Sequence, residues 1–489
     1  MSRYAAALDF GSSKIALAVG EKTDSGVRIV SYHDVPSAGI ESGEIVNDFK
    51  VEEVVRGLVD QAKADFPEEI ESITFGLSGR VLHSKNVPIQ LTRRDPSSYI
   101  MEEEVRQITR ARYKTALEGD EIVFEAVPQK YSTEDRIGIT YDEIIGMVGG
   151  QLEVDFKLFY GRKSLLDRRV GILKKLELKP GKAILNAIAS ARAVLSRPEM
   201  ENGVALVDIG KGSTEVAIVK DNIVRHVAII PFGGESVTGD IKNVANITRD
   251  WAEMVKLRHG RCCEEYAVEN KKLVLKSENE TVEGELEMSL LIRTVEARLS
   301  EILDAVRYVI EQSGYARRIS SGVVITGGVS HHEDLLQLAS SLLGQKVRLA
   351  APQGSIDNGS VEEAYDVYAS TVVGLLLEAL DPMLSHAIDQ EAEAQPAQQA
   401  EARRIQETLF EEEKVDQTEE PTLSNREMRE RRKEEERRAK EEERRAKEER
   451  KRLEKERKAA EEERKRKEKE KEKKGPSFID MLFSDNNNA

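Results

Sequence analysis

Two short stretches, far apart in the chain, carry the same set of chemical groups. The first reads Asp9-Phe10-Gly11-Ser12-Ser13-Lys14 and the second Asp208-Ile209-Gly210-Lys211-Gly212-Ser213-Thr214. Each has an acid at its entry, then glycine, then hydroxyls, with a lysine close by. Glycine lets backbone N–H groups come close to an anion, the hydroxyls add donors, and a carboxylate can hold a cation through water. Either stretch alone is an ordinary hairpin tip. Met twice at domain-sized separation, the set suits one polyphosphate gripped from both sides.

The flanking residues say how these groups are held. Ala5-Ala6-Ala7-Leu8 and Val204-Ala205-Leu206-Val207 lead in, and Ile15-Ala16-Leu17-Ala18-Val19 and Val216-Ala217-Ile218-Val219 lead out. Apolar run, tight polar turn and apolar run predict a β-hairpin in each place, and so a duplicated fold. A third stretch, Val323-Val324-Ile325-Thr326-Gly327-Gly328-Val329-Ser330, is a buried-strand run ending in paired glycines. A flat base or ribose could lie against backbone there. Strand and helix patterns alternate over most of the chain, which indicates an α/β protein. Residues 82–160 differ: strand patterns such as Glu153-Val154-Asp155-Phe156-Lys157-Leu158-Phe159 surround a helix near Glu102–Leu117, which makes a small α+β module.

The chain has 489 residues, enough for two or three domains, and is 39% hydrophobic and 34% charged. Its net charge of −16 argues against nucleic acid as a partner of the body. The two cysteines, Cys262 and Cys263, are adjacent and cannot staple a fold, which fits reduced thiols in a cytosolic protein. The N-terminus runs straight into a strand containing an acid, unlike a signal peptide. No apolar run approaches the roughly 20 residues of a transmembrane helix.

Composition changes after Pro382. Residues 386–424 are rich in Glu, Ala, Gln and Asp and read as an acidic flexible linker. Residues 425–474 are almost entirely Arg, Lys and Glu, with opposite charges three and four apart, which supports a solvated helical spacer. With almost no apolar positions at heptad spacing, a two-stranded coiled coil is disfavoured. If helical throughout, the spacer would span about 70 Å; a disordered tether is the alternative. Residues 475–489 open with Gly475-Pro476, a helix stop. Beyond it Phe478, Ile479, Leu482 and Phe483 share one face of a short helix. Four large apolar side chains at the end of a charged spacer need an external surface, either a membrane or a partner protein.

The order of phosphate hairpin, connecting helix, second phosphate hairpin and adenosine loop resembles the actin-like ATPase superfamily. Within it, Ile230-Pro231-Phe232-Gly233-Gly234-Glu235-Ser236-Val237-Thr238-Gly239-Asp240-Ile241 and Trp251-Ala252-Glu253-Met254-Val255-Lys256-Leu257-Arg258-His259-Gly260 are similar to segments of the FtsA family of bacterial cell-division proteins. Tyr368-Ala369-Ser370-Thr371-Val372-Val373-Gly374-Leu375-Leu376 resembles the second connecting helix. Glu121-Ile122-Val123-Phe124-Glu125-Ala126-Val127-Pro128-Gln129-Lys130-Tyr131 and Ile145-Gly146-Met147-Val148-Gly149-Gly150 resemble the family's inserted subdomain 1C, which actin and MreB lack. The similarity covers roughly residues 3–380.

The resemblance implies a duplicated actin-like (ribonuclease-H-like) two-domain fold. Subdomain 1A would comprise 1–81, 161–197 and 366–385, subdomain 1C 82–160, subdomain 2A 198–240 and 316–365, and subdomain 2B 241–315. It further implies ATP with Mg²⁺ between the halves. Gly11, Ser12, Ser13 and Lys14 would hold phosphates from one side and Gly210, Lys211, Gly212, Ser213 and Thr214 from the other, with Asp9 and Asp208 positioning the hydrated metal. Gly233, Gly234, Glu235, Glu253, Lys256, Gly327 and Gly328 would line the nucleoside. Many relatives place a water-orienting acid on the first connecting helix, but here Leu185-Asn186-Ala187-Ile188 puts Ala187 near that place. At most slow hydrolysis is expected.

In the family, FtsZ docks its C-terminal peptide on subdomain 2B, where Arg298 maps to a contact. Subdomain 1C meets later division proteins and neighbouring copies in a head-to-tail polymer, and a C-terminal amphipathic helix binds the inner face of the cytoplasmic membrane at the septum. An FtsA-related pilus-assembly adaptor would share the body but usually lacks such a tail. A small-molecule kinase of the superfamily would need an acceptor pocket and a catalytic acid.

Overall fold

The computed structural model of the protein describes residues 4–66, 72–263, 271–276, 282–353, 356–357 and 359–390. Two five-stranded sheets share one topology. In the first, Tyr4–Phe10, Lys14–Thr23 and Gly26–Pro36 form an antiparallel meander, and Ile73–Leu77 then Pro180–Leu185 add in parallel beyond Tyr4–Phe10. In the second, Val204–Ile209, Thr214–Lys220 and Ile223–Ile230 form the meander, and Val323–Thr326 then Val347–Leu349 add in parallel beyond Val204–Ile209. The duplication expected from the two hairpins is present strand for strand.

Alanine is depleted in strands because it packs little surface, yet Ala6 and Ala7 are wholly buried in the central strand of the first sheet. Ala7 shares a face with Gly20, and its small size lets the helix Ser370–Leu380 lie close against that strand. The same helix excludes a side chain at position 20, where a Cβ would come within 2.7 Å of Leu376. The helix Asn186–Val194, buried at every position, packs on Ser370–Leu380 and joins the two halves. Elsewhere, local chemistry sets the ends. Asn47 caps Asp48–Asp65 by accepting from the Lys50 N–H, and Ser196 with Glu199 forms a capping box that starts Arg197–Asn202.

The inserted module holds a sheet ordered His83–Thr92, Gln151–Arg162, Glu121–Ser132, packed against the helix Glu102–Arg112 over its own apolar core. A buried ion pair organises it: Arg93 binds Glu104 through two bonds of 2.8 and 3.1 Å and donates to the carbonyls of Ser98, Tyr99 and Gly149. The second insertion contributes the helices Gly234–Ala245, Arg249–His259 and Met288–Gln312 and the hairpin Lys272–Lys276 with Val282–Glu287. Cys262 and Cys263 are both buried. Among the described residues, no helix is long and apolar enough to cross a membrane.

The body extends further than its composition suggests. The flexible linker expected from residue 386 still lies on the body as far as residue 390. The Glu378 carboxylate accepts the N–H groups of Met383, Leu384 and Ser385, while Glu125 accepts the Ser385 hydroxyl and the His386 N–H. Lys182 and Asp389 form an isolated bridge between backbones. These ties use backbone donors, which residue type does not advertise. The rest of the linker from residue 391, the spacer 425–474 and the terminal segment with Phe478, Ile479, Leu482 and Phe483 lie outside the described residues.

Candidate functional site

Register explains why the two polar turns match. Phe10 pairs with Ile15 and Ile209 with Thr214, so Gly11–Lys14 and Gly210–Ser213 are loops of equal length. Asp9 and Asp208 then occupy the same place, one residue before the closing pair. Both loops line one cavity between the halves, together with Gly234, Glu253, Lys256, Gly327 and Gly328. Gly327 has φ +87, and a Cβ there would come within 2.3 Å of the Asp208 carboxylate, so only glycine fits. The ammonium of Lys256 bonds Glu253 at 2.7 Å, Thr238 at 2.9 Å and the Gly234 carbonyl at 3.1 Å, which fixes one wall of the cavity. Lys14 donates to the Tyr32 hydroxyl and pairs with Asp34 at 3.2 Å while facing the cavity.

Three expected site residues are placed outside the cavity. Thr214 is the first residue of its strand, and its buried hydroxyl donates to the Phe232 carbonyl at 2.8 Å. Gly233 instead allows the second loop to pack tightly, since a Cβ there would meet the Gly210 carbonyl at 2.4 Å. Glu235 turns to Arg249 in an ion pair. Arg298, expected to meet a partner peptide, is engaged within its own domain. It binds Asp240 at 2.5 and 3.0 Å and Glu301 at 2.8 Å, bracing Met288–Gln312 against Gly234–Ala245.

Other cavity residues had no role assigned from sequence: Gly43, Ser78, Asn186, Glu215, His332, Tyr368 and Thr371. Asn186 donates to Asp9 at 3.3 Å, and Ser190 and Thr371 donate to Asp208 at 2.7 and 3.4 Å. Ser78 donates to Glu215 at 2.5 Å. Arg169, fully buried on the helix Lys163–Lys175, donates to the carbonyls of Gly43 and Ser78 and lies 5.5 Å from the centre of the Phe10 ring. One signal was available for Glu215: it sits directly opposite Asp208 in the hairpin, so the two side chains share a face.

The donor set fits a hydrated hard cation with phosphate. Asp9, Asp208 and Glu215 line one cavity, and because among the described residues no three acids, histidines or cysteines cluster closely enough to ligate a metal directly, a cation here would keep its water shell, as Mg²⁺ does. Burial drives the Asp9 carboxyl up to about 7, with Asp208 adding repulsion, and drives Glu215 up to about 8. These two acids hold more protons folded than unfolded from about pH 4 to 8, so their contribution to stability falls as pH rises through that window, while His226 and His386, pushed down to about 4 by burial, contribute in the opposite direction between about pH 4 and 6.5. Above the histidine window the cation-free protein should therefore be less stable at pH 8 than at pH 6.5 by on the order of 1–3 kcal/mol. Urea midpoints at the two pH values measure this. Asp9→Asn with Glu215→Gln should remove the share of these two acids and leave those of Asp208, raised by burial, and of Glu125, pushed to about 7 by burial. Identical slopes in wild type and double variant would show that these acids do not titrate as described.

The comparisons with known proteins agree with the topology. The family model described as cell division protein FtsA matches residues 205–374. The cell division protein FtsA of Pseudomonas aeruginosa is 29% identical over 374 residues, covering 76% of this chain and 88% of that protein. FtsA of Escherichia coli K12 is 27% identical over 381 residues, with the same shares. Among solved structures, the PilM–PilN type IV pilus biogenesis complex aligns with a TM-score of 0.53 at 16% identity, over 77% of this chain and 99% of the matched chain. The fold is actin-like, and the sequence resemblance to FtsA runs through the body.

Proposed function

We propose, from the FtsA likeness of this chain, that it is a cell-division protein that binds ATP with Mg²⁺ between its two halves. In this reading it assembles head to tail with further copies and tethers FtsZ filaments to the inner face of the cytoplasmic membrane at the septum. The observation that carries the nucleotide reading is the pair of equal-length loops, each preceded by an aspartate in the same register, lining one cavity.

Backbone N–H groups and hydroxyls of Gly11, Ser12, Ser13, Gly210, Gly212 and Ser213, with Lys14 and Lys211, would hold the phosphates. Asp9 and Asp208 would hold the hydrated cation, which supplies charge neutralisation across the phosphates and between the acids themselves. Glu253, Lys256, Gly234, Gly327 and Gly328 would bound the nucleoside. Ligation by both halves favours the closed cleft, a hinge-type coupling between nucleotide and assembly. The FtsZ peptide would dock on residues 241–315, where Arg298 fixes the long helix, and the inserted module would meet later division proteins. Phe478, Ile479, Leu482 and Phe483 would supply the membrane contact, which polymerisation strengthens through avidity.

A thermal-shift series tests the reading. ATP with Mg²⁺ at about 100 times its Kd should stabilise the protein by about 2.7 kcal/mol. ATP with EDTA should give clearly less, and Asp208→Asn should abolish the Mg²⁺-dependent part. No shift with ATP and Mg²⁺ in the full chain would overturn nucleotide binding in this cavity.

A further inference from the structure

The first connecting helix, Asn186–Val194, opens with Asn186 and Ala187 and carries no acid of its own. A carboxylate from another strand stands at the head of this helix. Glu215 accepts the backbone N–H of Ala187 and the Ser78 hydroxyl, the latter at 2.5 Å. It is only 7% exposed, yet it lines the cavity between the phosphate loops. Ser78 and Ala187 belong to the first half and Glu215 to the second, so this carboxylate crosses the cleft. The duplication sharpens the point. In the first hairpin the residue opposite Asp9 is Ala16, wholly buried, so packing at this register asks only for a small apolar side chain. The second hairpin puts an acid there, against the cost of burying it.

We propose that Glu215 holds and deprotonates the water that attacks the terminal phosphoryl group of a nucleoside triphosphate bound in this cavity. The inference rests on the nucleotide-binding reading above. The water oxygen forms a bond to the terminal phosphorus, and the bond from that phosphorus to the bridging oxygen breaks, its electron pair leaving with the diphosphate. The proton lost by the water passes to the Glu215 carboxylate and from there to the released phosphate. Ser78 and the Ala187 N–H are positioning groups: they hold the carboxylate in place at the head of the connecting helix.

The test uses the full chain and two readouts: phosphate release under single-turnover conditions, and affinity for a fluorescent non-hydrolysable ATP analogue with Mg²⁺. Glu215→Gln should lower phosphate release about 100-fold while analogue affinity stays within about threefold. Glu215→Asp should fall between the two, and adding Ala187→Glu to Glu215→Gln should restore part of the rate. Ser78→Ala, a milder change, should slow release several-fold at unchanged affinity and serves if Glu215→Gln does not fold. Wild-type release no faster than that of Glu215→Gln would overturn the proposal. So would a loss of affinity as large as the loss of rate, which would make Glu215 a ligand-holding group. Failure of the wild type to bind the analogue would instead strike the nucleotide reading itself.

Discussion

Gly374→Ala is expected to destabilise the body by about 3 kcal/mol or more, the upper end of what overpacking a core costs. The helices Asn186–Val194 and Ser370–Leu380 pack together in the core. A Cβ on Gly374 would stand 1.7 Å from the carbonyl oxygen of Ala189 and 2.3 Å from its carbon. The obstacle is backbone in a helix buried at every position, so no side chain can swing aside. One of the helices must move, and each is anchored elsewhere: Ser190 and Thr371 hold Asp208 from the two helices, and Ser370 bonds Thr326 of the second sheet. A single methyl group should therefore disturb stability and cavity together. Urea denaturation gives the first effect directly, and a loss below 1 kcal/mol would show that the helices do not pack this closely.

That crossing shows what sequence alone carries and what it does not. The hairpins were legible because a period of apolar runs broken by acid, glycine and hydroxyl repeats in both halves, and hairpin pairing is local. The inserted module was legible for the same reason. What escaped depends on contacts between distant segments. Gly374 looks like a weak spot in a helix until Ala189 is placed against it. Glu215 looks like one more polar residue at the end of a loop until Ser78 and Ala187 are seen to bind it. Thr214 belongs by residue type with the phosphate loop, but the closing pair with Ile209 makes it strand, and its hydroxyl faces inward. Arg298 carries a charge suited to a partner, yet Asp240, 58 residues earlier in the chain, already claims it. The docking of residues 383–386 on Glu378 and Glu125 is of the same kind, because the donors are mostly backbone N–H groups.

The largest effect on ligand binding should come from Gly212→Val. Gly212 lies in the second phosphate loop at the point where the halves touch: a Cβ there would lie 2.7 Å from Ser42 Cα and 2.9 Å from the Ser12 hydroxyl. Ser42 sits in a tight turn at φ 46 with Gly43 at φ 76, and the Gly43 N–H is tied to Ser12 at 2.8 Å, so the opposing surface cannot yield. Three more carbon atoms at this place wedge the two loops apart, and neither can then reach phosphates held by the other. Affinity for ATP with Mg²⁺ should fall at least about 100-fold, or about 2.7 kcal/mol, with Gly212→Ala showing a smaller loss in the same direction. Both halves should still fold, because the added atoms meet the other half and not their own core. Gly57→Ala is the matching control: it lies in a helix with open space around it, and alanine there should leave affinity unchanged and add up to about 1 kcal/mol of stability. Titration of a fluorescent nucleotide into the three variants separates the outcomes. Wild-type affinity in Gly212→Val would mean that the loops do not close on one ligand, and the idea of a polyphosphate gripped from two sides would fall with it.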